Sequence, residues 1–515
     1  MANKNLFASA IATLLPRADA LNREFAPAYA YAPEEKLAQL AATGTLSDTF
    51  YVQAETQLDD MLEAARAVDP LFVAKVAIYA RQTGRMKDMP ALLAAYLTVA
   101  EPDLAVRVFE RVIDSGRMLR SFVQIMRSGQ VGRSSLGSRP KRLVQTWLER
   151  ASMRDLMAAA TGSNPSLKDV VRMVHPRPAD PGRAAFYAWL LGRPYDTAAL
   201  PAEIVAFEAW KREPSGTLPP VPFEWLTAYE LTAVQWAEIS RRMGWQALRM
   251  SLNTLARKGA FRVDGVTDDV AARLGDVGVL ETVGVLPYQL QMTLASVTNG
   301  VPLKVQAALE ELLEASLANV PVIDGAVVVC PDVSGSMGSP ITGYRPGSSS
   351  KVRCVDVAAL VAAAFLRTNR NARVLPFEYR VMPVRLDATD RLAVTAASLA
   401  SIGGGGTNVS APLVQLNAER AKVDLVVIVS DNQSWVDARA GGATNTMREW
   451  DRLRRRNDGA KLVCIDLQPY GTTQASGRPD ILNVGGFSDA VFDTVARFVR
   501  DEATDWVELV KQTEV

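Results

Sequence analysis

Two hydrophobic patterns divide the chain. From about Leu37 to Val320 apolar residues recur at helical spacing. Leu104, Val108 and Val112 stand four apart, with Arg107, Glu110 and Arg111 between them. Leu143, Val144, Trp147 and Leu148 form a second stripe, and Val305, Leu309, Leu312 and Leu313 a third. Each stripe reads as core packing. Gly84, Pro90, Pro102, Gly116, Gly129, Gly162, Pro165, Pro176, Gly192, Pro219 and Pro220 punctuate them. Helices of about 10–20 residues with short connections predict stacked helix pairs, a solenoid of the HEAT or armadillo kind. No clean period repeats, so the expectation rests on spacing, and an irregular helical bundle is the alternative.

Near Asn319–Gly325 the pattern changes. Short apolar runs now alternate with helical stretches: a strand at 326–331, a helix at about 352–367, a strand pair around 373–386, helices at about 390–400 and 408–421, a strand at 424–430, a helix near 443–455, a strand at 461–467 and a last helix at about 488–512. That alternation predicts a mostly parallel, doubly wound α/β sheet. The expected domains are therefore 1–320, helical, and 321–515, α/β. A chain of 515 residues is long enough for two cores.

The first strand of the α/β part, Ala326-Val327-Val328-Val329-Cys330-Pro331, runs into Asp332-Val333-Ser334-Gly335-Ser336-Met337. Open parallel sheets bind ligands at the C-terminal ends of their strands. Asp332, Ser334 and Ser336 offer oxygens from one tight loop, with Gly335 expected to let it turn. Hard divalent cations take such ligands, and Mg²⁺ wants about six in octahedral geometry. Two later stretches add to the set. Gly403-Gly404-Gly405-Gly406-Thr407-Asn408 places a hydroxyl on a flexible loop that opens a helix, and Leu425-Val426-Val427-Ile428-Val429-Ser430-Asp431 is a second buried strand ending in a carboxylate. Asp-x-Ser-x-Ser, then Thr, then a strand-terminal Asp is the pattern of a metal-ion-dependent adhesion site. From Ile323 to the C-terminus the chain resembles a von Willebrand factor A domain.

Composition changes the picture only locally. The net charge is +1, so whole-chain charge names no partner. Between Arg111 and Leu190, however, 14 Lys and Arg stand against 5 Asp and Glu. The densest part runs from Arg127 through Arg133, Arg139, Lys141 and Arg142, a Gly/Ser loop leading into a basic helix start. Such a loop suits a phosphate backbone, and a bound anion relieves the conflict between basic side chains and the helix dipole. A second basic stretch holds Lys168, Arg172 and His175 at i, i+4 and i+7, on one predicted helical face. A solvated charged face, and for His175 a structural role at a helix end, are the plainer alternatives. Cys330, Cys354 and Cys464 are widely spaced, two in predicted strands and one in a predicted helix, which predicts buried thiols in a reducing compartment. The first residues, Met1–Phe7, lack the hydrophobic core of a signal peptide, and no apolar run approaches a membrane span. A cytoplasmic protein is expected.

Three further segments carry a wider resemblance: Leu40–Tyr51, Lys168–Pro176 and Met243–Leu255. Together with the metal pattern they make the chain similar to the Ro autoantigen family, in which a TROVE domain precedes a von Willebrand A domain. The resemblance implies a ring of HEAT-like helices closed by the A domain. It implies binding of small noncoding Y RNAs on an outer basic surface, and of misfolded or unprocessed RNAs whose single-stranded 3′ ends enter the central hole. It places Lys168, Arg172 and His175 at the RNA surface, with Arg127, Arg133, Arg139, Lys141 and Arg142 as wider contacts. It also suggests a 3′-to-5′ exoribonuclease partner and a monomeric chain.

An enzyme is not expected. Metal-assisted hydrolysis at Asp332 and Asp431 needs a general base, and none is evident beside them. The single histidine, His175, falls in the other predicted domain. The alternative to RNA binding is a protein-interaction scaffold whose divalent cation, Mg²⁺ by preference, captures an acidic partner.

Overall fold

In the computed structural model, residues 15–515 are described, apart from 284, 286, 345–351, 436–441, 469, 487, 489, 503 and 504. The stretch Tyr344–Ser350, whose Gly, Pro and Ser content predicts a surface loop, falls outside the described residues from Arg345 onward, as does the N-terminal Met1–Phe7.

The strand runs Val327–Pro331 and Leu425–Ser430 are apolar on both faces because both faces are covered. They form the centre of a five-stranded parallel sheet, ordered Ala372–Val374, Val327–Pro331, Leu425–Ser430, Lys461–Asp466, Ile481–Gly485. On one face Val328, Cys330, Val426, Ile428, Leu462 and Cys464 pack against Leu413, Leu416, Met447, Trp450 and Leu453 from helices Ala411–Ala418 and Asn445–Arg454. Helix Cys354–Thr368 also packs on the sheet. The indole of Trp450 is fully buried and its Nε1 donates to Asp480 Oδ2 at 2.8 Å. The three cysteines are free and buried, and burial pushes their thiols up.

The sheet departs from expectation in three places. The strand pair around 373–386 shrinks to Ala372–Val374, after which Phe377 makes only isolated bridges to Asp332 and Val381. Pro376 and Pro383, without N–H groups, interrupt any longer ladder. The last helix is two, Ala490–Val499 and Trp506–Lys511, separated where Asp501 turns left-handed (φ 59°) and Asp505 caps the second through Val507 N at 2.9 Å. Strand Ile481–Gly485 was not anticipated.

The helical pattern holds from Pro33–Thr43 to Leu303–Ala315, in helices of 4 to 13 residues. Val108 and Val112, Val144 and Leu148, and Val305, Leu309 and Leu312 are all buried, as their stripes require. Packing crosses the boundary read near residue 320. One unit gathers the described parts of Met1–Met89, Leu286–Gln291 and Leu313–Glu514; the other holds Pro90–Val285 and Met292–Leu312, with Val515. The first unit therefore includes a hairpin, Ala20–Leu21 with Pro27–Ala30, whose second strand pairs antiparallel with Thr472–Thr473. Among the described residues no helix is long and apolar enough to cross a membrane.

Trp450→Ala should lower the stability of the α/β unit by about 3–5 kcal/mol, since it opens a large cavity and strips Asp480 of a donor. A fall in the thermal midpoint of that unit checks it; an unchanged midpoint would show that the indole is not a core support.

Candidate metal centre and basic surface

Parallel register brings the site together. Val329 pairs with Val427 and Pro331 with Val429, so Asp332 and Asp431 emerge from adjacent strands at one edge. Asp332 Oδ1 accepts from Ser334 N at 2.9 Å, its Oδ2 accepts from Ser430 Oγ at 2.6 Å, and Asp332 N donates to Val429 O at 2.9 Å. Ser334 Oγ and Ser336 Oγ lie 3.4 Å apart. The Asp431 carboxylate takes Gln433 N at 3.2 Å, and the Ser336 hydroxyl favours its ionised form. All five candidate ligands, Asp332, Ser334, Ser336, Thr407 and Asp431, are buried.

The glycine loop is held against the metal loop by backbone bonds: Gly335 N donates to Gly405 O at 2.8 Å and Gly404 N to Val333 O at 2.9 Å. Gly335 has φ −62°, which any residue adopts, so turning is not why it is glycine. A Cβ there would stand 3.1 Å from Gly404 O. At Gly403 φ is +87° and a Cβ would meet Val333 O at 2.2 Å, so this position needs glycine on both counts. The loop does not open a helix directly, since the next one starts at Ala411.

Burial dominates the electrostatics. It raises Asp332 to about 6, against the opposing hydrogen bonds from Ser334 and Ser430. Burial and then repulsion from Asp332 raise Asp431 to about 7. Glu378 adds a third carboxylate that sequence reasoning missed. It is buried, its Oε2 accepts from Gly405 N at 2.8 Å, and its charge contributes to the rise at Asp332. Only its position just after Phe377, which bridges to Asp332, could have signalled it. Ser430 was likewise passed over, although it immediately precedes Asp431. Among the described residues no group of three or more His, Cys, Asp or Glu side chains could hold a metal. The set here is instead two carboxylates and three hydroxyl side chains, oxygen donors of the kind a hard divalent cation takes.

The basic residues lie on the other unit. Arg127 closes helix Gly116–Arg127, Arg133 sits in the following loop, and Arg139, Lys141 and Arg142 occupy the first turns of helix Ser138–Arg150. That helix has no acidic residue in its first turn and no side-chain cap. Arg127, Arg139 and Arg142 are exposed, and Arg133 and Lys141 half-buried. Arg139 is partly committed, to Asp103 at 3.1 Å. Helix Leu167–Val174 carries Lys168, half-buried, and Arg172, exposed. His175 is its left-handed cap (φ 50°), so the helical i+7 spacing does not extend to it. The two basic stretches do meet, because Gln145 Nε2 donates to Val174 O at 2.6 Å.

A pocket of about 300 Å³ opens beside that junction. Val171, Ala184, Tyr187, Ala188 and Leu191 wall it, and Arg172, His175, Arg177 and Arg193 stand exposed around it. Lys168 is not part of its lining. Arg177 and Arg193 were not singled out from the sequence. Arg193 comes from beyond a further helix, Pro181–Leu191, and nothing local ties it to the others.

Residues 326–499 match the family described as the Ro60 vWA domain. The chain is 24% identical over 511 residues to the "RNA-binding protein RO60" of Deinococcus radiodurans, covering 92% of this chain and 94% of that one. The crystal structure of the Deinococcus radiodurans RO (RSR) protein superposes with a TM-score of 0.60 at 22% identity, covering 92% of this chain and all of the other.

The two raised carboxylates fix the sign of a pH effect. Without a cation, the folded state holds protons on Asp332 and Asp431 that the unfolded chain has already released, so stability is fullest below about pH 4 from these groups and is lost as pH rises through 6 and 7. Added Mg²⁺ should therefore raise the thermal midpoint more at pH 8 than at pH 5, an increment that Asp431→Asn should reduce. An increment equal at both pH values would contradict it.

The resemblance drawn from the motifs thus holds: residues 326–499 form an A domain of the Ro60 type, in a chain similar to Ro proteins over more than nine-tenths of its length.

Proposed function

We propose that this protein binds RNA in the Ro manner, through the basic face of its helical repeats. The observation that carries the reading is the convergence of Arg172, His175, Arg177 and Arg193 on one pocket, next to a helix start rich in Arg and Lys. Exposed guanidinium groups neutralise phosphates and release counterions, which supplies affinity without base reading. The exposed imidazole of His175 offers a flat face to an unstacked base. Recognition then rests on charge, shape and strand ends. The name of the Deinococcus relative, an RNA-binding protein, supports the same class.

The finer reading follows the family resemblance. The RNAs are small noncoding RNAs of the Y type, and misfolded or unprocessed RNAs with single-stranded 3′ ends. The setting is cytoplasmic RNA quality control or processing, with a 3′-to-5′ exoribonuclease as the partner that consumes what is captured, and this chain acting as a monomeric, non-catalytic binder.

A second activity belongs to the A domain. Its buried oxygen set suits a divalent cation, Mg²⁺ by preference, held by Asp332, Ser334, Ser336, Thr407 and Asp431. When bound, the cation supplies an electrophilic centre for a carboxylate. In this reading the A domain captures an acidic partner protein while the helical unit holds RNA.

The test is binding of a structured RNA with a single-stranded 3′ tail, beside the same duplex made blunt, across a salt series. Tight binding that favours the tail and weakens steeply with salt is expected. Arg172→Ala, Arg177→Ala and Arg193→Ala should each weaken it and reduce the salt slope by about one. Asp332→Ala should leave RNA affinity nearly intact. Equal, salt-insensitive binding of both RNAs would overturn the reading.

A further inference from the structure

Exposed aromatic side chains flank the loop that carries Thr407. Glu378 N donates to Arg380 O at 3.0 Å and Phe377 bridges to Val381, so the chain turns tightly through Glu378–Arg380. The turn buries Glu378 against Gly405 and leaves Tyr379 and Arg380 outside, Tyr379 at 46% exposure. Asn408 fastens the turn to the loop. Its backbone N–H donates to Glu378 O at 2.9 Å and its Nδ2 to Tyr379 O at 3.3 Å. The Arg380 guanidinium carbon lies 5.5 Å from the centre of the Tyr379 ring, and among the described residues no carboxylate pairs with it.

Trp435 stands on the same loop, one residue away. Its backbone is pinned: Trp435 N donates to Thr407 O at 3.2 Å. The preceding Ser434 takes Asn22 Nδ2 on its carbonyl at 2.5 Å and Val409 N on its hydroxyl at 3.4 Å. The indole lies against Gly406, where a Cβ would stand 2.5 Å from Trp435 Nε1, and it is 49% exposed. A fixed backbone with so much of an indole in water is preorganised for contact with something outside the chain. The hairpin tip, joined here through Asn22, adds Leu21 and Phe25, 61% and 80% exposed.

Scattered apolar residues are ordinary on a surface, but these are gathered at one edge. Trp, Tyr and Arg are also the residue types that dominate binding energy at protein interfaces. Charge narrows the occupant further. Asp332, Asp431 and Glu378 are buried at this edge, and Arg380 supplies the exposed positive charge beside the aromatic rings. A nucleic-acid strand brings a phosphate with every nucleotide, more negative charge than one guanidinium and one divalent ion can meet beside three carboxylates. A peptide can bring one or two carboxylates and set apolar side chains between them.

We propose that Trp435, Tyr379 and Arg380 form a docking surface for a segment of a partner protein in which acidic and bulky apolar side chains alternate. One carboxylate completes the cation's shell beside Thr407, a second pairs with Arg380, and the apolar side chains cover Trp435 and Tyr379. The inference rests on the cation reading of the site and names the partner's chemistry.

The probe is the peptide acetyl-Asp-Leu-Asp-Phe-amide, titrated into the full chain by ligand-observed NMR in saturating Mg²⁺ and in EDTA. Acetyl-Asp-Gly-Asp-Gly-amide and an oligouridylate are titrated beside it. The apolar acidic peptide should bind tightest and lose its binding in EDTA. Trp435→Ala should weaken it by about tenfold, Arg380→Ala by less, and Trp435→Phe should recover most of the loss. The Mg²⁺-dependent rise in thermal midpoint, unchanged in these variants, reports the cation site separately. If that rise is present but the two peptides bind equally, or neither binds, or Trp435→Ala binds as wild type does, the docking surface fails and the cation reading stands. Tighter binding of the oligouridylate that Trp435→Ala removes would assign the surface to RNA and overturn the proposal. If Mg²⁺ raises no midpoint in wild type, both readings fail.

Discussion

Two carboxylates withdrawn from water at the ends of adjacent strands are the constraint on which the C-terminal edge of the sheet depends. Hydrogen bonds from Ser334, Ser430 and Gln433 favour their ionised forms, while burial and repulsion between neighbouring carboxylates disfavour them, and burial and repulsion win. An edge built this way is short of positive charge. The surrounding backbone is arranged without regard to relieving that shortage: the glycine loop is pressed onto the metal loop by main-chain bonds, and it brings Glu378, another acid, into the same place. What remains is a fixed arrangement of hydroxyl and carbonyl oxygens, held by close-approach glycines, of the kind the proposed cation would need.

The basic surface works on the opposite principle. Its cations are exposed or half-buried and spread over several helices. Interactions of exposed charges are screened within about 10 Å at ordinary salt, whereas a dry, short-range site is screened far less. If the two readings hold, the basic surface answers to ionic strength and the buried oxygen set to pH and divalent ions. Their residues also fall in separate packing units, so a change at one need not propagate to the other.

What was legible in the sequence follows from how local each signal is. The strand runs and the residues at their ends, Asp332 and Asp431, are contiguous with their patterns, and the parallel register then aligns them without further information. Thr407 was singled out because a run of glycines precedes it. Arg193 and Glu378 were missed because each joins its site through contacts that no local motif announces. Strand Ile481–Gly485 was missed because Asn483 and Gly485 dilute its apolar pattern, although all its residues are buried. His175 was assigned to a helical face, yet it ends the helix, with Pro176 just beyond it, and it reaches the pocket by leaving the helix instead of continuing it. The longest misses are at the N-terminus: the contacts of Asn22, Arg23 and Tyr31 with the A domain span more than 400 positions.

That separation is less of an obstacle to folding than it looks, because closure entropy grows only with the logarithm of loop length. What matters is how the hairpin is attached along its length. Its stem is part of the core: Ala28 is fully buried, Tyr29 belongs to the same apolar cluster as Trp450, and Tyr31 donates to the buried Asp466 carboxylate at 2.5 Å. Its tip is different. Leu21 and Phe25 are 61% and 80% exposed, and the tip meets the Asp431 loop through two hydrogen bonds, from Asn22 and Arg23. Each such bond nets about 1 kcal/mol, so releasing the tip costs far less than withdrawing the stem. The element that meets the Asp431 loop is thus anchored through its stem and held lightly at its tip.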